Sequence, residues 1–329
     1  MLELRRFARD GTGRKNMKPG AWLRLLAAAL LLSATTPVTA QSLYKYQDAD
    51  GNWVYTDRRP AVEKFEEERL ESRRKNPVVT VRGEKTAEGG SALIVTNEYV
   101  APVEVLVELT DHIGVASDVP KQVRVVVPPS SEEAILEVRP GEPNSNWSFG
   151  YTFQYLPGDP ATSHNPEGPY RAPFAPATSF PVSQAYPSAF SHQDVASRYA
   201  VDFAMPIGTP VYSARAGLVM DVAAQFFESG TDLDELGMRA NLVRVLHEDG
   251  TMAIYAHLNW HSIRVQPGEA VERGQYIADS GNTGFTTGPH LHFVVQRNAG
   301  LVIESVPVDF AGPNGEAITP RTGEPIAAF

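Results

Sequence analysis

Cysteine is absent from all 329 residues of the chain. This excludes thiol catalysis, Cys-ligated zinc and a disulfide framework, and a chain of this length can bury enough core without disulfides. Basic runs are missing beyond residue 40. Residues 1–40 hold seven Lys or Arg and two Asp or Glu; the remainder has 22 bases against 37 acids, a formal charge of −15 compared with −10 for the whole chain. Nucleic-acid binding relies on Lys and Arg against phosphate, so that class of partner is excluded, and adhesion to any anionic polymer would have to be local. Beyond Leu25–Leu32 no apolar run approaches the roughly 20 residues that span a bilayer, so no integral membrane segment is expected after it. Helical periodicity is nearly absent from residues 169–312, and there is no internal repeat.

What stands at the N-terminus is a basic segment, then the apolar run, then Val38-Thr39-Ala40 before Gln41. This is the pattern of a secretory signal peptide over 1–40 with a small-residue cleavage site. Periplasmic or secreted localisation is expected, with an uncleaved anchor as the alternative. Met17-Lys18 would make a more ordinary start than Met1.

The next segment, 41–76, alternates apolar and polar residues on both sides of Asp50-Gly51, a hairpin signal, and then turns charged, predicting a helix from about Ala61 to Lys75. Its rings either pack on one another or grip a ligand. Residues 77–157 predict a β-sandwich-like domain. Short β-rich runs cover Val78–Val81, Ala92–Thr96, Val103–Leu109, Val123–Val127, Ala134–Val138 and Ser148–Leu156, separated by turn residues. It is a positioning or partner-binding domain, or a plain spacer. A stretch rich in Pro and aromatic residues runs from Pro157 to Pro187. Its first part, 158–168, is read as a linker that sets the domain spacing or lies across a groove.

Residues 169–312 read as antiparallel β, with strands at Val211–Val222, Leu242–Leu246, Met252–His257, Ile263–Val265, Tyr276–Asp279 and Leu291–Gln296, and 313–329 as a tail. The fold class is therefore all-β. Gln225–Arg239 interrupts the pattern as a loop or short helix that shapes access or is solvated decoration.

The chemistry concentrates in Gly281-Asn282-Thr283-Gly284-Phe285-Thr286-Thr287-Gly288-Pro289-His290-Leu291-His292. Side chains alternate along a strand, so His290 and His292 share one face. Ala253-Ile254-Tyr255-Ala256-His257 offers a third imidazole. Asp202 stands in the apolar run Tyr199–Met205, where a carboxylate is costly to bury unless paired or bound to a cation. With His192, these residues supply ligands plus a base for a zinc site with one open position. His164 is the other nearby candidate. His247 and His261 read as surface histidines.

These motifs resemble the LytM/lysostaphin-type zinc metallopeptidases, which cut the peptide part of bacterial cell walls. The resemblance runs from roughly Pro169 to Phe310. It rests on Val182-Ser183-Gln184, Asp202 with Gly208-Thr209-Pro210-Val211, Tyr255-x-His257-Leu258, Val265-x-Pro267-Gly268, and Ser280–Gly284 leading into Pro289-His290-Leu291-His292. It implies the duplicated-hybrid-motif β fold, with zinc on His192, Asp202 and His292. His257 and His290 would handle protons and stabilise the tetrahedral intermediate. Phe285, Thr286 and Thr287, within the glycine-rich run itself, read as a substrate-binding rim of the groove. Many members place the first ligand four residues before the aspartate. Arg198 occupies that position here and cannot lose its proton to bind metal; His192 replaces it if Gln193–Ser197 is an inserted loop. The implied activity is hydrolysis of peptidoglycan stem peptides or cross-links. The alternatives are a catalytically idle wall-binding activator of another hydrolase and an ordinary zinc protease. A division or wall-synthesis partner would be met through the sandwich domain. The N-terminal segment resembles a small module of unknown function in exported Gram-negative proteins.

Overall fold

The structure is a computed structural model that describes residues 5–6, 41–47, 53–56, 64, 66–70, 74–143, 145–187 and 190–329. The expected signal peptide therefore lies almost wholly outside the described residues. Among the described residues no helix is long and apolar enough to cross a membrane. The chain divides into two compact units, one essentially 12–74 and the other mainly 75–329.

In the first unit the expected hairpin forms. Strand β1 (Gln41–Gln47) pairs antiparallel with β2 (Trp53–Thr56), with Gln47 opposite Trp53. The charged segment departs from expectation, because Glu66–Leu70 is a strand, β3, that pairs with the other edge of β1. An isolated helix of this length is marginal in water, whereas a third strand stabilises a hairpin that is marginal on its own.

The second unit begins with the predicted sandwich. One sheet joins β4 (Val79–Lys85), β5 (Ser91–Asn97) and β8 (Ser131–Val138); the other orders β9 (Ser148–Pro157), β6 (Val103–Ile113) and β7 (Gln122–Val127). Leu93, Val95, Val103, Val105, Val107, Val127 and Phe153 fill the space between them. Strand β6 breaks the usual alternation, since all five residues from Val103 to Val107 are buried. A strand buried on both faces has a second layer against it. Here that layer is the following domain. Leu106 and Leu156 pack with Leu301, while Met220 and Met252 join the sandwich core.

The C-terminal domain is built on an antiparallel sheet. Its strands in chain order are β10 (Ser179–Gln184), β11 (Val201–Ala204), β12 (Pro210–Tyr212), β13 (Gly217–Ala223), β14 (Ser229–Gly230), β15 (Leu242–Leu246), β16 (Met252–Ala256), β17 (Ala270–Val271), β18 (Tyr276–Asp279), β19 (Gly284–Phe285), β20 (His290–Asn298) and β21 (Ile303–Val306), with β22 (Pro325–Ala327) near the end. The main sheet orders β17-β13-β15-β16-β20-β11-β10-β22, with β21 beside β20. Tyr255, Phe203, Phe293, Leu291 and Val295 fill its core face.

Three boundaries differ from the sequence reading. Val211–Val222 is two strands, β12 and β13, because Ser213 turns the chain and its hydroxyl donates to Arg215 O at 2.7 Å. Ile263 and Val265 are buried as their alternation implies but form no strand; Arg264 N bonds to Ile277 O, in a segment between His261 at φ 56° and Gly268 at φ 82°. The tail is part of the domain, since β22 pairs with β10 (Phe180 opposite Ile326) and Ile326 is buried. The aromatic stretch after the linker is docked too, with Tyr170 and Phe174 in the core.

Candidate metal centre

The site is built from one row across the sheet. Gln184 of β10 pairs with Asp202 of β11, Asp202 with His292 of β20, and His292 with Ala256 of β16. Residues directly opposite in antiparallel strands project to the same face about 5 Å apart, so Asp202 and His292 must meet. Nδ1 of His292 lies 2.9 Å from Asp202 Oδ1. His290, two residues before His292, shares that face, its Nε2 3.9 Å from the same oxygen.

His192 arrives from outside the sheet. The segment after it is a tight turn organised by Asp194, whose carboxylate accepts from Ala196 N, Ser197 N and Ser197 Oγ. This turn absorbs Gln193–Ser197, leaves Arg198 exposed, and brings His192 Nε2 to 3.2 Å from Asp202 Oδ2. Among the described residues, one group offers a metal three donors: His192, Asp202 and His292, with ligand atoms within 4.8 Å of one another. Two imidazoles and a carboxylate suit zinc, and tetrahedral bonds of about 2.1 Å put ligand atoms roughly 3.4 Å apart. The contacts of 2.9 and 3.2 Å are close to that spacing. His192 presents Nε2 on this side; its other ring nitrogen, Nδ1, faces away, buried without a hydrogen-bond partner, so the ring's donor toward a metal is Nε2. The donor set thus fits the metal. Burial opposes the charge on Asp202, yet hydrogen bonds from His192 and His292 outweigh it and hold the carboxyl well below its usual range. It stays an anionic ligand at neutral pH.

His257 follows the last residue of β16 and has φ 60°, a left-handed conformation that is uncommon for a non-glycine residue. Its Nδ1–H donates to Thr283 O at 2.7 Å, which leaves Nε2 as the open nitrogen. The glycines of the Ser280–Gly284 run make this contact possible. A Cβ on Gly281 would lie 2.5 Å from Asn259 N, and Gly284 has φ 85°. Burial and the neighbouring His290 and His292 push the His257 pKa down to about 3, so its ring is neutral at pH 7. The His257 and His290 rings are 4.5 Å apart. His290 donates Nδ1–H to Gly288 O at 2.8 Å, so its open nitrogen is also Nε2.

The expected rim divides. Phe285 is half-buried and Thr287 exposed, but Thr286 is buried, its hydroxyl bonded to Gly288 O and close to His290 Nδ1. Thr286 therefore supports the His290 loop and does not form a surface. Exposed aromatics were not anticipated: Phe190 stands two residues before His192, and Trp260, three after His257, meets Phe227 edge-on at 6.2 Å. Gln184, of the Val182-Ser183-Gln184 motif, also belongs to the site: its amide donates to Asp202 Oδ2 at 2.9 Å. His164 bonds to the Tyr170 hydroxyl and is outside the metal group. His261 is exposed as expected. His247 is not a surface residue: it is 2% exposed, with Nδ1 donating to Ala216 O.

The sequence profile of peptidase family M23 matches residues 196–305, the stretch that carries Asp202, His257, His290 and His292. This domain is an M23 peptidase domain of the LytM/lysostaphin type. Residues 28–80 match a domain of unknown function (DUF4124). Over 99 residues the chain is 41% identical to the peptidoglycan DD-endopeptidase ShyA of Vibrio cholerae, covering 30% of this chain and 20% of that protein. Over 96 residues it is 35% identical to lysostaphin of Staphylococcus simulans, covering 29% and 17%. The solved catalytic domain of that lysostaphin aligns at 25% identity and a TM-score of 0.26, over 43% of this chain and 87% of the domain. The chain thus spans about a fifth of the length of the curated relatives it matches.

Proposed function

We propose that this protein is an exported zinc metalloendopeptidase that hydrolyses amide bonds in the peptide part of peptidoglycan. The observation that carries the reading is the convergence of His192, Asp202 and His292 on one point, with the open Nε2 side of His290 beside it and His257 against His290. Zinc held by the three ligands would supply Lewis acidity, acidifying water toward a pKa of about 7 and polarising the scissile carbonyl.

The remaining steps belong to the side chains. His257, neutral and fixed by Thr283 O, presents Nε2 as an acceptor for the proton of the attacking water. Its low basicity means that it passes the proton on to the departing nitrogen and does not keep it. His290, held by Gly288 O, presents the second Nε2; protonated there, it donates to the developing oxyanion or the departing amine. The substrate class is supported by the peptidoglycan endopeptidase named among the relatives and by the secretory pattern of residues 1–40.

Digestion of purified cross-linked peptidoglycan by the full chain, with products identified by mass spectrometry, tests this. Chelator-sensitive loss of cross-linked dimers, restored by zinc, is expected. Intact wall in the presence of zinc-loaded protein would overturn the reading and favour a non-catalytic activator.

A further inference from the structure

His192 lies on a segment outside the sheet, where no strand pairing fixes it, so something else must hold it at the distance metal binding needs. Gln184 is placed to do this. It is the last residue of β10, directly opposite Asp202, and is 7% exposed. A primary amide has two N–H donors and one oxygen that accepts two bonds, and here all four positions are taken. The donors sit on Nε2, which gives one hydrogen to Asp202 Oδ2 and the other to Ser191 Oγ, each at 2.9 Å. Oε1 accepts from the backbone N–H groups of Phe190 and Ser191. One side chain therefore ties the carboxylate ligand to the two residues immediately before the imidazole ligand.

We infer that Gln184 is a positioning residue of the metal centre: its amide fixes the 190–192 segment and the Asp202 carboxylate relative to each other, compensating for a first ligand that comes from outside the sheet. Gln184 touches no reacting atom and acts through His192 and Asp202. Outer partners of metal ligands commonly contribute about 10- to 100-fold in metal affinity. The inference rests on the zinc reading above.

The test measures zinc affinity of the full chain by competition with a chromophoric chelator, independently of turnover. Gln184→Met keeps length and volume but can make none of the four bonds, and is expected to weaken zinc binding by about 10- to 100-fold with the far-UV spectrum unchanged. If Gln184 only filled space, Met would leave affinity within twofold of wild type, and the inference would be wrong. Gln184→Glu covers the case in which the Met variant does not fold. It keeps the two acceptor bonds to the loop and loses both donor bonds, so its affinity should fall measurably below wild type; wild-type affinity in this variant would also overturn the inference. Failure of the wild-type chain to bind zinc at all would defeat the proposed function and this inference together, whereas tight wild-type binding with unaffected variants defeats this inference alone.

Discussion

The proposed function divides the site's residues into those that would hold metal and those that would handle protons, and substitution separates the two. His292→Ala removes a ligand that is also the partner of Asp202 Oδ1, so zinc content and turnover should vanish together. His257→Ala removes a ring bonded to Thr283 O and outside the ligand group. Zinc content by atomic emission should then remain near one per chain while kcat falls by about 10²- to 10⁴-fold, the usual contribution of a general base. Loss of zinc in His257→Ala would make that histidine a ligand. His247 allows a different prediction. Burial pushes its pKa down to about 4, below the roughly 6.5 of an unfolded histidine. The unfolded chain therefore binds more protons between these values. The stabilising contribution is complete above about pH 6.5 and is lost as pH falls toward 4, amounting to about 2 kcal/mol between pH 7.5 and 5. Urea unfolding of His247→Gln should show a smaller drop over that interval than wild type; an equal drop would mean that His247 is not buried as a neutral ring. At this scale Asp202, His257, His290 and His292 were legible because each stands in an apolar strand pattern or a glycine-rich turn that a bare surface residue does not need. His247 was misread because Leu246-His247-Glu248-Asp249-Gly250 looks like a strand entering a solvent turn, and nothing local signals that Ala216 O waits for its Nδ1. Gln184 was invisible for a related reason, since its role depends on the Gln184–Asp202 register.

Elements were legible where alternation and turn chemistry agree. The six sandwich runs and the pairs around Leu242–Ala256 appear nearly as predicted because apolar residues facing one core repeat every second position. The same signal misleads at Ile263–Val265, where burial is satisfied without a ladder. It is too weak at Pro325–Ala327, where three residues carry no period. That last element matters for the site. β22 covers the free edge of β10, with Val182 N bonded to Glu324 O and Gly323 N to Val182 O, and β10 ends at Gln184. Ile326→Ala should cost about 2–5 kcal/mol, as for other large-to-small changes in a core. The measurement is the urea midpoint, with the m-value unchanged. A shift below about 0.5 kcal/mol, typical of surface substitutions, would show that the C-terminal strand is an appendage to the domain.

For the whole molecule, the boundary between sandwich and peptidase domain is where the sequence reading left two options, spacer or positioning domain. A spacer would need only a polar, hydrated contact. The structure instead buries a carboxylate there. Glu104, on the outer face of β6 and 2% exposed, accepts from Arg124 Nε within the sandwich and from Asn298 Nδ2 (2.9 Å) and Leu301 N (2.7 Å) of the peptidase domain. Burial opposes its charge, but these donors outweigh it and lower its pKa. Asn76 adds a two-way bond to the backbone of Val222. A joint of this kind holds the sandwich at one orientation behind the catalytic sheet, because breaking it strands buried donors at about 1–3 kcal/mol each. Two domains so joined should open as one cooperative unit. Hydrogen exchange followed by mass spectrometry should find peptides of β5 and β6 exchanging with the same free energy as those of β16 and β20 in the wild-type chain. In Glu104→Ala, Asn298 and Leu301 lose their shared acceptor, so the two sets should separate by about 2 kcal/mol or more, with zinc affinity unaltered. If the sets already differ in wild type, the sandwich moves independently and the spacer reading is restored. If they remain coincident in Glu104→Ala, the apolar contact of Leu106, Leu156 and Leu301 is sufficient to hold the two domains as one.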